Sequence, residues 1–367
     1  MTTGALSLLL LLAGGGSFVL ALLLVPIAMR IAKRIDFVDH PGGRKSHVKV
    51  MPYGGGSAIF LAGWLSTIAL LVLASVAPME QLVQFLGEGV EPYVNGLRDR
   101  GASTIVILVG GVVMHLTGLL DDFKPLGALP KLGVMAAVAL LVSLVGGVRL
   151  AEFAGPTASV ALTVVWIIVI TNAMNFLDNM DGLSAGIGAI AVAFLVICGL
   201  MAGQVFVPGL ACIFLGAMLG FLVYNFPPAK IFMGDAGSLL IGYMLAVVSI
   251  LTSYWQSGTD RPPFALAMPL VVLAVPLYDF ASVVIIRLRE SRNPLKGDQR
   301  HFSHRLVERG LSRRAVVLTI YLIAAATGLS ATLLPGAGLR EALTILSFVV
   351  MVLLIIAILE APTRRSP

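Results

Sequence analysis

Apolar residues recur along this chain in runs of about twenty, the length at which a helix crosses the hydrocarbon core of a bilayer. Eleven such runs predict spanning helices, at residues 5–29, 53–77, 102–120, 131–149, 158–177, 184–203, 207–225, 236–254, 264–287, 315–334 and 342–360. Only Gly203 and Pro208 punctuate the chain between the sixth and seventh runs. An odd number of spans sets the two termini on opposite sides of the membrane. The expected fold is therefore all-α, one polytopic membrane helix bundle over residues 1–367 with about eleven transmembrane helices.

The polar residues between the runs are unevenly shared. Twenty of the 25 Lys and Arg residues fall in the odd-numbered loops and the C-terminal tail. By the positive-inside rule those segments are cytoplasmic and the N-terminus is outside. Composition agrees with lipid as part of the solvent: the chain is 58% hydrophobic and 12% charged, with a mean hydropathy of +0.98. The net charge of +6 gathers at the ends of apolar runs, which suits membrane orientation and argues against nucleic acid as a partner. Cys198 and Cys212 both lie inside apolar runs and form no extracellular disulfide framework. The apolar N-terminus lacks a basic leader and a cleavage site, so it is expected to be a retained first span.

The odd loops also hold the unusual chemistry, which places a site at the cytoplasmic face. A transporter would more readily hold its key polar groups at the midplane, on broken helices. The stretch TNAMNFLDNMDGLSAG packs Asn172, Asn175, Asp178, Asn179 and Asp181 into ten residues with no Lys or Arg. The spacing of Asn172, Asn175 and Asp178 puts them on one face of a helix. Their oxygens are the hard donors that Mg²⁺ takes; the other reading is hydrogen bonding between helices and capping of a turn.

Asp121 and Asp122 meet at a helix end, where adjacent carboxylates repel and favour a shared proton or cation. Lys131 follows near the start of the next helix and could face phosphate, whereas a solvated acidic turn is the alternative. His115, one helical face back, is expected to be an interior histidine. Asp235 lies between Gly234 and Gly237 before an apolar helix, placed to bind a metal or to cap, with Asn225 at the other end of that loop. Arg44, Lys45 and His47 precede the glycine run Gly54–Gly56, a pattern suited to an anion or to acidic headgroups. His301, His304 and Arg305 are close enough in sequence to meet a pyrophosphate. Asp279, a costly charge inside the ninth run, is expected to point into the bundle as a structural or supporting residue.

In order and spacing, these motifs resemble the polyprenyl-phosphate N-acetylhexosamine-1-phosphate transferases, a family related to phospho-MurNAc-pentapeptide translocase. The resemblance covers nearly the whole chain. It rests on Pro41, Arg44, Lys45 and His47 leading to Gly54–Gly55; on Asp121–Asp122 with Lys131; on Asn172, Asn175, Asp178, Asp181, Gly182 and Leu183; and on Phe232, Gly234, Asp235, Gly237 and Ser238. Two positions depart from the pattern. Relatives often carry Gly where this chain has Asn179. The GlcNAc branch often reads His-x-His-His where this chain has His301, Phe302, Ser303 and His304. The three consecutive histidines of the UDP-MurNAc-pentapeptide branch are absent, which places the chain with the UDP-GlcNAc branch.

The resemblance implies an enzyme of the bacterial cytoplasmic membrane that transfers GlcNAc-1-phosphate from UDP-GlcNAc to undecaprenyl or decaprenyl phosphate and releases UMP. This would start a lipid-linked envelope glycan such as O-antigen, teichoic acid or an arabinogalactan linker. It implies Mg²⁺, with Mn²⁺ as a substitute, on Asp235 and Asn175. It implies Asp121 as the base that keeps the lipid phosphate deprotonated, with Asp122 beside it. Lys131, His301, His304 and Arg305 would bind phosphate, as would the Arg44–Lys45–His47 cluster. Asn172, Asn225, Asp178 and Asp181 would organise the site or hold the nucleotide. Enzymes of this kind often form homodimers. The rivals are the same reaction with another UDP-N-acetylhexosamine or UDP-MurNAc-pentapeptide, and a lipid-phosphate carrier without chemistry.

Overall fold

The structure is a computed structural model and describes residues 3–40, 50–87, 90–252, 266–292 and 301–360. Long apolar helices dominate it. In chain order α1 (Thr3–Arg34) leads to a short antiparallel ribbon, β1 (Val38–Asp39) paired with β2 (Met51–Pro52), and then to α2 (Gly55–Val76). Two short helices, α3 (Met79–Leu86) and α4 (Glu91–Asp99), precede α5 (Gly101–Phe123), α6 (Ala128–Leu144), α7 (Pro156–Leu177) and α8 (Leu183–Met201). There follow α9 (Phe206–Asn225), α10 (Asp235–Leu251), α11 (Met268–Val272), α12 (Ala274–Arg289), α13 (Phe302–Glu308), α14 (Arg313–Ala331) and α15 (Leu339–Glu360). Among the described residues, eight helices are long and apolar enough to cross a membrane, and α6 and α10 are shorter apolar helices. The chain is a multi-pass membrane protein.

Burial divides the helices into an inner and an outer set. Every residue of α10 from Ala236 to Ile250 is buried, enclosed by α2, α5, α7 and α8. A helix apolar on all sides needs such an enclosure or lipid. The outer helices keep large apolar side chains exposed, among them Leu11, Leu23, Leu322, Leu354 and Ile358. In water that surface would aggregate; in a bilayer it faces acyl chains.

Two regions differ from the sequence expectation. The ninth run, expected as one helix over 264–287, is divided into α11 and α12 around Leu273. Pro276 has no N–H to donate back to Val272, so the helical ladder is interrupted there. The stretch from Glu80 to Asp99, read as an acidic loop, forms α3 and α4. Their Leu82 and Val94 cover Ala74 in a small apolar cluster. Arg98 donates to the carbonyls of Ala74 (2.7 Å) and Ala77 (3.2 Å), satisfying groups that the end of α2 leaves open.

The connections that carry the sequence motifs meet at one end of the bundle. The backbone there is tightly tied. Gly55 and Gly56 donate their N–H groups to the carbonyls of Phe232 and Met233, each at 3.0 Å. A Cβ on Gly56 would lie 2.2 Å from the backbone nitrogen of Gly237, so α2 and α10 approach closely only because both positions lack side chains. The glycine run thus serves the crossing of two helices.

Candidate active site

The α10 N-terminus is the centre of the site. Asp122, in the last turn of α5, accepts the N–H of Asp235 at 2.7 Å and that of Ala236 at 3.0 Å. One carboxylate thereby satisfies two first-turn donors of α10 and faces the positive end of its dipole. Gly234 has φ +75°, and a Cβ there would strike the Asp122 carboxylate at 2.4 Å. The spacing Gly-Asp-x-Gly is what lets this cap form.

Asp121, one residue earlier, points elsewhere. Its Oδ1 accepts the N–H of Leu126 at 2.7 Å. Its Oδ2 accepts Lys131 Nζ at 2.9 Å, and the same ammonium donates to Asp235 Oδ2 at 2.9 Å. Lys131 reaches both because it lies on the first turn of α6, directly after the short α5–α6 connection. The sequence could pair Lys131 with a phosphate; the structure adds that it bridges two carboxylates 114 positions apart in number, Asp121 and Asp235.

The end of α7 supplies the amides. Asn175 donates Nδ2 to Ser238 Oγ on α10 at 2.8 Å, so its carbonyl oxygen is the atom it can offer to a cation. Asn172 donates to the Ile168 carbonyl at 2.8 Å and to the Met135 sulfur at 3.2 Å. Asp178 ends α7. Burial, and then the neighbouring charges of Asp235, Asp122 and Asp181, hold its carboxyl well above the usual carboxylate range. Asp181 accepts the N–H of Ala229 at 3.0 Å. Both ends of the Asn225 amide are engaged by backbone: Oδ1 accepts the N–H of Gly182 at 2.9 Å, and Nδ2 donates to Ile231 O at 2.8 Å. Asn225 braces two loops through these bonds and also stands on the wall of the smaller of two cavities at this end of the bundle.

Two cavities meet at Asp178 and Asn179. The smaller, about 250 Å³, is lined by Tyr53, Asp122, Asp181, Phe232, Asp235 and Arg313 among others. The larger, about 590 Å³, begins at Asp121, Lys131, Asn175 and His301 and continues between Leu132, Met135, Ile168, Phe280 and Val284. One is polar and compact; the other runs from charged groups into an apolar wall.

His301 stands on the larger cavity. Its Nδ1 lies 2.8 Å from Asp279 Oδ2, and Asp279, fully buried, also accepts the N–H of Phe302 at 3.0 Å. Asp279 thus orients His301 and caps α13, the supporting role expected of it. His304 is half-buried; burial, helped by His301 and Arg313, pushes its imidazole below the ordinary value. Arg305 is turned away from both cavities, toward Glu360 on α15 at 3.0 Å and Ser282 at 2.9 Å. This position fits an anchor of α13 better than the phosphate contact expected from sequence. His115 is interior, as expected, with Nδ1 3.1 Å from the Ala236 carbonyl and its ring stacked on Phe60. Arg44, Lys45 and His47 lie outside the described residues.

Sequence reasoning did not single out Tyr53, Arg287 or Arg313. Each stands beside a membrane boundary, where an anchor and a ligand contact leave the same trace in sequence. Arg287 is buried, 5.1 Å from the centre of the Phe176 ring and on the wall of the larger cavity.

The donor set suits a hard divalent cation. Asp122, Asp178, Asp181 and Asp235 face the smaller cavity, with Arg313 as the one guanidinium on it among the described residues, and Lys131 already holds a positive charge where Asp121 and Asp235 converge. Carboxylate and amide oxygens are the ligands that Mg²⁺ prefers. Among the described residues, no three of the His, Cys, Asp and Glu side chains are already gathered as a metal cage. An ion held by one or two carboxylates together with substrate phosphates needs no such cage.

Comparison with known proteins agrees with this geometry. Residues 104–253 match the family model described as glycosyl transferase family 4, a segment that includes Asp121, Lys131, Asn175, Asp178 and Asp235. The chain is 35% identical to a probable undecaprenyl-phosphate N-acetylglucosaminyl 1-phosphate transferase of Bacillus subtilis, covering 93% of this chain and 89% of that one. It is 36% identical to the decaprenyl-phosphate N-acetylglucosaminephosphotransferase of Mycobacterium leprae, over 80% of this chain and 75% of the other. It is 26% identical to the undecaprenyl-phosphate alpha-N-acetylglucosaminyl 1-phosphate transferase of Escherichia coli K12, over 84% and 79%. The chain belongs to the family of polyprenyl-phosphate N-acetylglucosamine-1-phosphate transferases within glycosyl transferase family 4.

Proposed function

We propose that this protein transfers GlcNAc-1-phosphate from UDP-GlcNAc to a polyprenyl phosphate, giving polyprenyl-diphosphate-GlcNAc and UMP, at a Mg²⁺-dependent site on the cytoplasmic face of a bacterial membrane. The observation that carries the reading is the junction of a compact polar cavity with a longer apolar one at Asp178, beside the Asp121–Lys131–Asp235 bridge. A water-soluble donor and a lipid acceptor need two such approaches to one reacting centre.

An anionic phosphate must attack another anionic phosphate, so their mutual repulsion is the main obstacle. Mg²⁺ on Asp235 and the Asn175 carbonyl oxygen would supply positive charge to the donor diphosphate. The donor occupies the smaller cavity, where Tyr53 and Phe232 offer ring faces and Arg313 a guanidinium. His304, near Arg313, and His301 contact diphosphate oxygens. The polyprenyl chain lies along Leu132, Met135, Ile168 and Val284. Its phosphate meets Lys131, while Asp121, beside that lysine, takes the phosphate proton. Asp122 holds the α10 N-terminus, and with it Asp235, in place. Asp178 and Asp181 line the nucleotide side.

The Lys and Arg distribution supports the finer topology, eleven spans with the N-terminus outside and the site inside. The donor assignment rests on the relatives' names and on the histidine pattern. The test is UMP release by purified protein in detergent, with polyprenyl phosphate, Mg²⁺ and a panel of UDP-sugars, repeated in EDTA. Release with UDP-GlcNAc that EDTA abolishes is expected. Release with a different UDP-sugar alone would replace the donor, and no release from any of them would favour a lipid-phosphate carrier.

A further inference from the structure

Asn179, in the α7–α8 turn, and Ser303, in the first turn of α13, touch each other. Ser303 is fully buried, and its hydroxyl donates to Asn179 Oδ1 at 2.6 Å across 124 residues of sequence. The direction of the bond is fixed from the other end. Asn179 Nδ2 donates to the Phe176 carbonyl at 2.7 Å, which needs a donor, so the amide oxygen is turned toward Ser303. Both functions of the Asn179 amide are therefore used, and a flipped amide would set its oxygen against the Phe176 carbonyl.

Its place in the fold gives the bond its consequence. Asn179 lies between Asp178 and Asp181 in the α7–α8 turn and is on the wall of both cavities. Ser303 lies between His301 and His304 at the start of α13. This is the side-chain hydrogen bond that joins that turn to α13 among the described residues; Asp279 holds His301 from α12, and Glu360 holds Arg305 from α15. Those contacts fix α13 against the outer helices, and the Ser303–Asn179 bond fixes it against the carboxylates.

We propose that Asn179 and Ser303 are a positioning pair that sets His301 and His304 at the distance from Asp178 and Asp181 needed to bind the donor diphosphate. The inference rests on the proposed role of His301 and His304 at the diphosphate.

A double-mutant cycle tests it with Asn179→Ala, Ser303→Ala and both together, measured as KM for UDP-GlcNAc, kcat, calorimetric affinity for UDP and melting temperature. Each single change is expected to raise KM about three- to tenfold, the cost of one buried hydrogen bond, with kcat much less affected. The double variant is expected to be no worse than the more impaired single one. Ser303→Thr, which keeps the hydroxyl, should stay near wild type. Ser303→His is expected to lose most activity because the ring meets Asn179. Independent, multiplicative effects of the two alanine changes would overturn the proposal. So would a coupling seen in melting temperature with none in KM or UDP affinity, which would make the pair merely structural. UDP affinity reads the pair even if UMP release fails, so failure of the reaction assignment and failure of the pair are distinguishable.

Discussion

Replacing Lys131 by Met removes the charge from the centre of the site and keeps most of the side-chain volume. In the wild type one ammonium lies 2.9 Å from Asp121 and 2.9 Å from Asp235, with 19%, 15% and 26% of the three side chains exposed. Removing one member of a fully buried ion pair costs about 3–5 kcal/mol, because the partner charge is left without compensation. Partial exposure lowers that figure, so a loss of about 2–3 kcal/mol is expected. At about 1.4 kcal/mol per factor of ten, the folded-to-unfolded ratio falls roughly 30- to 150-fold. The consequence for metal is opposite in sign. Two carboxylates that no longer share an ammonium attract a divalent ion more strongly, and an ion at a hundred times its dissociation constant returns about 2.7 kcal/mol. Thermal unfolding in detergent, in EDTA and across a Mg²⁺ series, reads both effects. The variant should melt below the wild type in EDTA and gain more from Mg²⁺, while its transfer activity is lost. A variant as stable as wild type in EDTA, or one with no larger response to Mg²⁺, would refute the assignment of Lys131 as the cation shared by Asp121 and Asp235.

Asp122→Ala removes the acceptor of two N–H groups at the start of α10 and should cost about 1–3 kcal/mol of stability; an unchanged unfolding midpoint would show that the cap is dispensable. Asp178 is held well above the usual carboxylate range by burial and by Asp235, Asp122 and Asp181, so it keeps a proton to higher pH than an exposed aspartate. Loss of that proton as pH rises adds negative charge beside Asp235, so the apparent Mg²⁺ affinity should increase with pH, with a flatter profile in Asp178→Asn. Equal profiles for the two proteins would contradict this. Gly56→Leu places a side chain on the backbone of α10, where even a Cβ comes within 2.2 Å of Gly237, and should abolish folded protein in size-exclusion chromatography. A well-folded, active Gly56→Leu protein would mean that α2 and α10 do not cross so closely.

Much of the architecture was legible because lipid imposes a simple pattern. A helix such as α8 or α9 reveals itself as a long apolar run bounded by Gly or Pro, and the predicted limits 184–203 and 207–225 lie close to Leu183–Met201 and Phe206–Asn225. The divided ninth helix was less visible, since Pro276 can also occur in an unbroken but kinked span. α3 and α4 escaped notice because a charged face on a short amphipathic helix reads as a polar loop when only long runs are sought. In the site, the helical spacing of Asn172, Asn175 and Asp178 placed all three near the α7 end, and the Asp-Asp pair marked the α5 end. Sequence could not divide the labour within that pair: Asp121 faces Lys131 while Asp122 caps α10, a distinction set by where α10 arrives from 113 residues away. Nor could it separate Arg313, on the wall of the smaller cavity, from Arg305, tied to Glu360. Both are basic residues near a membrane boundary, and only packing tells them apart.

The most direct test follows the lipid product. Protein reconstituted in liposomes with polyprenyl phosphate, Mg²⁺ and UDP-GlcNAc would be sampled over time, with UMP and the extracted lipids quantified by mass spectrometry. The predicted result is polyprenyl-diphosphate-GlcNAc and UMP formed in equal amounts, with neither formed by Asp235→Asn protein that remains folded. UDP released with a polyprenyl-monophosphate-linked sugar, or polyprenyl phosphate carried across the bilayer without modification, would contradict the transfer of a sugar 1-phosphate at this site.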